Sequence, residues 1–238
     1  LFWHYLEPCN LHPVVKEEYK EPCSRLYVKD KKTLLFEVTY YKKRINFEVF
    51  HVLTDGTGAT EFLKELVSNY LYQKEGLEPV SMLPEDMTVQ DQESDSFLKY
   101  YSKDQKRPKE KKTRAFQIRR KKKDGNHLHV HESVVSVKEV LKRSRELGVS
   151  MTVFLTAVFL KAIHEEMSKM QEKKPIVLMV PVNLRKFFPS TSMLNFFNWI
   201  EPGYDFSKRD RSFEEVLRYT KDFFEEQLTK EKMSAHIN

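Results

Sequence analysis

The chain has 238 residues, of which 40% are hydrophobic and 13% aromatic, and this is enough apolar material for a large buried core in one or two domains. With only 6 glycines and 10 prolines, the composition excludes a collagen-like or intrinsically disordered chain. Two cysteines, Cys9 and Cys23, are too few for a disulfide scaffold. We expect them to be free thiols in a reducing cytoplasm, with a single bridge as the alternative.

The sequence contains no recognisable targeting signal or membrane span. The longest apolar stretch, residues 149–163, is too short to cross a bilayer, and no cationic segment followed by an apolar one opens the chain. We therefore expect a cytoplasmic protein without a membrane span. Because the first residue is Leu1 and not Met, we also expect the sequence to be a fragment or a trimmed form of a longer one.

The net charge of +6 is concentrated in one segment. Residues 106–123 hold eleven Lys or Arg against one Glu, so the rest of the chain carries a small net negative charge. The basicity therefore belongs to this segment and not to the fold.

In the first half, alternating apolar residues predict a β-hairpin with strands at 33–41 and 44–53. A stripe of apolar residues at helical spacing then predicts a helix that stops near Gly76. Residues 73–114 contain three prolines, an acidic half and a basic half, which indicates a long surface connection with one short helix near 97–101. A strand at 116–120, a turn at 124–125 and a strand at 127–135 are expected to follow.

In the second half, Ser136 with Glu139 and Ser212 with Glu215 have the spacing of capping boxes, and each predicts the start of a helix. Between them we expect a buried helix from 152 to about 170, a strand covered on both faces at 175–182, and a short strand near 197–200. Mixed strands and long helices indicate an α/β layered sandwich. Because no Gly-rich phosphate loop, CxxC pair or G-x-S-x-G elbow occurs, dinucleotide, P-loop and serine-hydrolase functions lose their usual support.

His51 is the candidate for chemistry. It is expected at a strand end beside a glycine-containing turn, and a histidine side chain changes charge near neutral pH, as proton transfer requires. Judged by residue type alone, however, a lone histidine at a strand end is more often structural than catalytic.

The run HVLTDG at 51–56 matches the H-x-x-x-D-G motif of the superfamily that contains chloramphenicol acetyltransferase, peptide-synthetase condensation domains and plant acyltransferases. More closely, residues 47–64, residues 180–189 and the run NFF at 195–197 resemble bacterial proteins named alcohol acetyltransferases. The resemblance extends through most of the chain. It implies a two-lobed, CoA-dependent acyltransferase-like fold, with residues 1–105 as the later part of the N-terminal lobe and 106–238 as the basic segment and first part of the C-terminal lobe.

The resemblance also implies the roles of the site residues. The motif histidine, here His51, takes a proton from an alcohol or amine acceptor that attacks the thioester of acyl-CoA, with acetyl as the default acyl group and acyl-CoA as a co-substrate. No metal and no permanently bound cofactor is expected. Asp55 is expected to pair with an arginine of the second lobe, best matched by Arg185, and Gly56 is expected to allow a tight turn where a Cβ would clash. Asn183 and Asn195 are candidates for substrate contact, although loop capping is the simpler role.

Two features depart from the family. Residue 50 is Phe where condensation domains carry a second histidine, which disfavours peptide-bond formation on carrier proteins. The family's proteins are also longer, so the opening strand and helix of the first lobe and later parts of the second lobe are expected to be missing. A non-catalytic binding scaffold, either an inactive superfamily member or this fragment itself, is therefore the alternative function.

Two other signals have simpler interpretations. His127, His129 and His131 alternate along one predicted strand face, but the outer two would lie about 13 Å apart, too far to share one metal ion. A solvated strand face is the favoured interpretation, with an adjacent pair and a distant residue as the metal-binding alternative. The run at 119–123 could hold the phosphates of a nucleic acid or attract those of CoA, whereas a solvated hairpin tip is the favoured interpretation.

Overall fold

The computed structural model of the chain describes residues 7, 9–23, 25–78, 87–102, 114–118, 130–235 and 237. The strands among them are β1 (Lys16–Glu17), β2 (Phe36–Tyr41), β3 (Arg44–Val49), β4 (Ile176–Val177), β5 (Val180–Asn183), β6 (Phe197–Ile200) and β7 (Gly203–Tyr204). The helices are α1 (Gly56–Glu75), α2 (Val89–Gln92), α3 (Ser96–Tyr100), α4 (Val137–Glu146), α5 (Met151–Glu165), α6 (Phe213–Gln227) and α7 (Lys230–Ala235).

The chain forms two compact units. The first contains the described residues of Leu1–Asp95, Gly125–Val130 and Thr191–Asn195, and the second those of Ser96–Asp124, His131–Ser190 and Phe196–Asn238. The sequence had predicted a division after residue 105, whereas the first unit ends its main run at Asp95 and includes a short segment from much later in the chain. That segment matters for the candidate site.

The first unit is built on the predicted hairpin. Strands β2 and β3 pair antiparallel from Phe36 opposite Val49 to Tyr41 opposite Arg44, and β1 adds to β2 in parallel. Both hairpin strands are shorter than predicted, since β2 begins at Phe36 and β3 ends at Val49.

Aromatic rings fill the space between this hairpin and α1. Phe47 lies 4.7 Å from Phe62 of α1, centroid to centroid, and Phe36 lies 5.9 Å from the same ring in an edge-on arrangement. Edge-on and offset arrangements are the favoured geometries of aromatic pairs. The apolar hairpin face and the apolar stripe of α1 therefore meet as their periodicities predict.

Helix α1 ends where the sequence predicted. Gly76 adopts a left-handed conformation with φ 66°, and its N–H donates to Tyr72 O at 2.9 Å. Glycine has no Cβ to oppose that conformation, so it is the usual residue at such a helix end.

The second unit has its own hydrophobic core, formed mainly where α5 packs against α6. Its fully buried side chains include Leu160, Leu184, Phe196, Tyr204, Val216 and Met233. Phe188 also belongs to this core and packs with Phe196 among its buried residues.

Three serines cap helices of this unit. The side chain of Ser136 accepts from Glu139 N, that of Ser150 from Val153 N, and that of Ser212 from Glu215 N. Each bond satisfies an N–H that the first helical turn leaves open. The helix starts predicted at Ser136 and Ser212 are therefore confirmed.

The predicted continuous strand at 175–182 is wrong. It is divided into β4, which pairs antiparallel with β7, and β5, which pairs antiparallel with β6. Met179 lies between them and is 70% exposed, so the apolar run is not covered on both faces. The strand predicted near 197–200 is confirmed as β6.

Helix α5 is only half buried, contrary to its predicted full burial. It runs over Met151–Glu165, with Val153, Ala157 and Leu160 on the core side. Leu155 and Phe159 lie on the opposite side, and Phe159 is 60% exposed.

The strands predicted at 116–120 and 127–135 are not present in their described parts, because residues 114–118 and 130–135 form no strand. Phe116 N nevertheless donates to Pro175 O at 2.8 Å. The turn at 124–125 and most of the basic segment lie outside the described residues. Helices and small sheets together fit an α/β chain, and the layered two-lobed acyltransferase fold stays a prediction.

Candidate functional site

His51 lies in the turn that joins β3 to α1. Strand β3 ends two residues earlier, and Leu53 N donates to Phe50 O at 3.0 Å to close the turn. The His51 residue is exposed. The imidazole is therefore accessible from solvent, on a turn held between two regular elements.

Asp55 caps α1. Its carboxylate accepts hydrogen bonds from Thr57 N at 3.0 Å and from Gly58 N at 3.2 Å, and the residue is only 4% exposed. A negative charge at a helix N-terminus is stabilised both by these open N–H groups and by the helix dipole. Asp55 thus has a structural role as the N-cap of α1, while its pairing with Arg185 stays a prediction.

The close approach in this turn occurs at Gly58 and not at Gly56. A Cβ on Gly56 would meet no atom of the described residues within 4 Å, so the steric reason expected for that glycine is wrong. A Cβ on Gly58 would lie 2.5 Å from Met193 O and would also collide with the Thr54 hydroxyl. Carbon and oxygen cannot approach so closely, which excludes a side chain at residue 58 without movement of its neighbours.

The atoms that crowd Gly58 belong to Thr191–Asn195, called here the 191–195 segment. Thr54 Oγ1 donates to Met193 O at 2.6 Å, and Met193 N donates to Gln92 O at 2.8 Å. Both polar groups of the Met193 backbone are therefore bonded within the first unit. The segment is thereby fixed against the motif turn.

Asn195, at the end of this segment, contacts His51. Its Nδ2 donates to His51 O at 2.8 Å and to Val52 O at 3.4 Å, and its Oδ1 lies 3.1 Å from His51 Nδ1. The sequence singled out both residues but did not predict that they meet across 144 positions. Substrate contact by Asn195 stays a prediction.

A cavity of about 450 Å³ adjoins the motif turn. It lies among β2, β3, α1 and the 191–195 segment, and Leu53, Thr54 and Gly58 of the turn line it. Its other lining residues are Phe36, Phe47, Val49, Glu61, Phe62, Glu65, Gln92, Glu93, Met193 and Leu194. The volume is within the range of small-molecule sites, and the wall is mostly apolar with acidic groups among the lining residues.

Asn183 and Arg185 belong to the second unit. Asn183 Oδ1 accepts from Arg185 N at 3.0 Å, so the capping role weighed for this asparagine is confirmed. The Arg185 guanidinium lies 6.0 Å from the Phe196 ring centroid, and its Nη1 donates to Phe196 O at 3.4 Å.

The remaining candidates are reported for the described part of the chain. His131 is exposed, while His127 and His129 lie outside it. Within that part no group of three or more His, Cys, Asp or Glu could hold a metal ion. Nor is any single described helix long and apolar enough to cross a membrane, although α4 and α5 would pass that test as a pair bent by 89°.

A family model described as alcohol acetyltransferase matches residues 78–197, which places the chain in the acyltransferase class of enzymes. Because the match covers half of the chain, the chain belongs to the alcohol acetyltransferase family. The match includes Asn183, Arg185 and Asn195, whereas His51 and the rest of its motif precede it. No curated protein sequence matches the chain.

Proposed function

We propose that this chain carries the reaction centre of an acyltransferase that moves an acetyl group from acetyl-CoA to an alcohol, with His51 as the general base. The observation that carries the proposal is the contact between His51 and Asn195, because it joins the motif turn to a residue inside the family match. Acetyl as the acyl group follows from the family name.

The proposed reaction needs one base and no covalent intermediate. His51 takes the hydroxyl proton of the alcohol while its oxygen attacks the thioester carbonyl carbon. The C–S bond then breaks, and the imidazolium returns the proton to the departing CoA thiolate. Protons and electrons balance, since the products are the acetate ester and free CoA thiol, and His51 ends as it began.

The cavity beside the motif turn supports an acceptor with an apolar chain. Its wall includes Phe36, Phe47, Val49 and Phe62, which would remove an alkyl chain from water. Glu65 and Glu93 add negative charge to the lining, whereas Glu61 is paired with Lys64 at 2.7 Å, and this lining disfavours an anionic acceptor. An amine acceptor remains the second substrate class to test.

The test follows CoA thiol release from acetyl-CoA with a panel of alcohols and amines. Cys9 and Cys23 are exposed and would react with a thiol reagent, so the rate without acceptor is subtracted. Turnover in the wild type should fall by about 10²–10⁴-fold in His51→Ala. His131→Ala, which removes another exposed histidine, should retain full turnover. Equal turnover in wild type and His51→Ala would overturn the assignment, and no turnover with any acceptor would favour the binding-scaffold alternative.

A further inference from the structure

The side-chain amide of Asn195 has one chemically reasonable orientation. The group facing His51 O at 2.8 Å and Val52 O at 3.4 Å must be the NH₂, because backbone carbonyl oxygens only accept hydrogen bonds. Rotating the amide by half a turn would place its oxygen against these two oxygens and lose both bonds. The amide oxygen is therefore the atom that faces the imidazole.

That orientation determines which imidazole nitrogen carries the proton. Asn195 Oδ1 lies 3.1 Å from His51 Nδ1 and, like the carbonyls, only accepts hydrogen bonds. Nδ1 must then be the N–H donor, and in a neutral ring Nε2 is the nitrogen that bears the lone pair. Free histidine favours the opposite tautomer, so the neighbouring amide reverses an intrinsic preference.

The structure assigns Asn195 as the positioning residue that fixes His51 in the Nδ1–H tautomer, so that Nε2 is the atom that accepts the proton of the acceptor substrate. This inference rests on the proposed function and adds the atom through which the base acts. Because Asn195 is uncharged, it can hold the ring without attracting a proton to Nε2 in advance, as a carboxylate would.

The placement of Asn195 does not depend on its bonds to His51 alone. Met193, two residues earlier, is bonded to Thr54 and Gln92, and Leu194 N donates to Ser192 Oγ at 3.2 Å. The backbone of the 191–195 segment should therefore stay in place when the Asn195 side chain is changed. Substitutions of Asn195 therefore test the role of its side chain and not the position of the segment.

The direct readout is the ¹⁵N NMR spectrum of the full chain labelled at histidine, which distinguishes protonated from unprotonated ring nitrogens without any activity. At a pH where the rings are neutral, His51 should show the Nδ1–H tautomer in the wild type. Exposed His131 serves as the internal reference, with the Nε2–H tautomer of free histidine. A wild-type His51 with its proton on Nε2 would overturn the inference.

Two substitutions separate the acceptor from the donor of the amide. Asn195→Ala removes both and should let His51 revert toward the Nε2–H tautomer. Asn195→Asp keeps an oxygen for Nδ1 and should retain the Nδ1–H tautomer although its bonds to His51 O and Val52 O are lost. A change of tautomer in neither variant, or an equal change in both, would overturn the role of Oδ1. If Asn195→Ala fails to fold, the wild-type spectrum still tests the inference, because a proton on Nε2 of His51 would overturn it.

Kinetics provide a second readout. In Asn195→Ala kcat should fall, by up to about 10⁴-fold as when a triad histidine takes the wrong tautomer, with KM for acetyl-CoA little changed. Asn195→Asp should recover part of kcat, with the acidic limb of its pH–rate profile moved to higher pH. A rise in KM alone would overturn the inference in favour of substrate contact. If His51→Ala is fully active, the proposed function fails whatever the spectra show, so the two failures are distinguishable.

Discussion

Thr54 Oγ1 donates a 2.6 Å hydrogen bond to Met193 O across 139 residues of sequence, and the backbone of Gly58 lies directly beside both atoms. The turn that carries His51 and the segment that carries Asn195 are thus packed together at a glycine. The positions of the two site residues therefore depend on a contact in which neither takes part.

The first prediction is that Gly58→Ala destabilises the first unit. The added Cβ would lie 2.5 Å from Met193 O, so either the 191–195 segment or the start of α1 must move. Such overpacking should lower the unfolding free energy by about 1–3 kcal/mol, although alanine has the higher helix propensity. Urea unfolding followed by circular dichroism measures the loss.

Gly56→Ala is the matched control, because it adds the same methyl group two residues earlier in the same helix. A Cβ there meets nothing within 4 Å among the described residues, so only the helix propensity changes. We expect equal or higher stability, by up to about 1 kcal/mol. Equal effects of the two substitutions would contradict the close packing at Gly58.

The second prediction concerns the cap of α1. Asp55→Ala removes the acceptor of Thr57 N and Gly58 N and should lower the unfolding free energy by about 0.5–2 kcal/mol. Asp55→Asn keeps a side-chain oxygen that can cap and should lose less. Thermal unfolding of both variants checks the order, and a larger loss in Asp55→Asn than in Asp55→Ala would be inconsistent with a capping role.

Some features of the fold and of the candidate site could be predicted from the sequence, and others could not. Helix α1, its end at Gly76 and the helix starts at Ser136 and Ser212 follow from signals within a few residues, and those predictions are confirmed. The contact between His51 and Asn195 could not be predicted, because it joins positions 144 apart and no local pattern encodes it. The same holds for Gly58, since only the approach of the 191–195 segment explains why that glycine, and not Gly56, cannot carry a Cβ.

The third prediction is that the stability contributed by the ion pair of Lys20 and Glu37, on the polar face of the hairpin, depends on pH. Burial alone would raise the pKa of Glu37, but hydrogen bonds from Lys20 and Tyr19 and the charge of Lys20 lower the pKa below its ordinary value. A depressed carboxyl pKa stabilises the folded state above the unfolded-state pKa, and this contribution is lost as pH falls through the folded-state pKa.

The comparison is therefore between wild type and Lys20→Ala across pH. The wild type should be more stable by up to about 1 kcal/mol near neutral pH, and the difference should shrink as pH falls below the ordinary glutamate range. Lys43→Ala, at an exposed lysine on the hairpin turn, is the control and should show little change at any pH. A difference that grows on acidification would have the wrong sign for this ion pair.

The last prediction tests whether the 450 Å³ cavity receives the alkyl chain of the acceptor. Each methylene removed from water contributes about 0.8 kcal/mol, so kcat/KM should rise about fourfold per carbon along a series of linear alcohols until the cavity is full.

Val49 lines the cavity, and Val49→Phe would occupy part of it. The optimum should then move to shorter alcohols while the smallest alcohol reacts nearly as fast as in the wild type. Val134→Phe makes the same change at a fully exposed valine and should leave the series unaltered. An unchanged chain-length profile in Val49→Phe would show that the acceptor binds elsewhere, even if His51 remains essential.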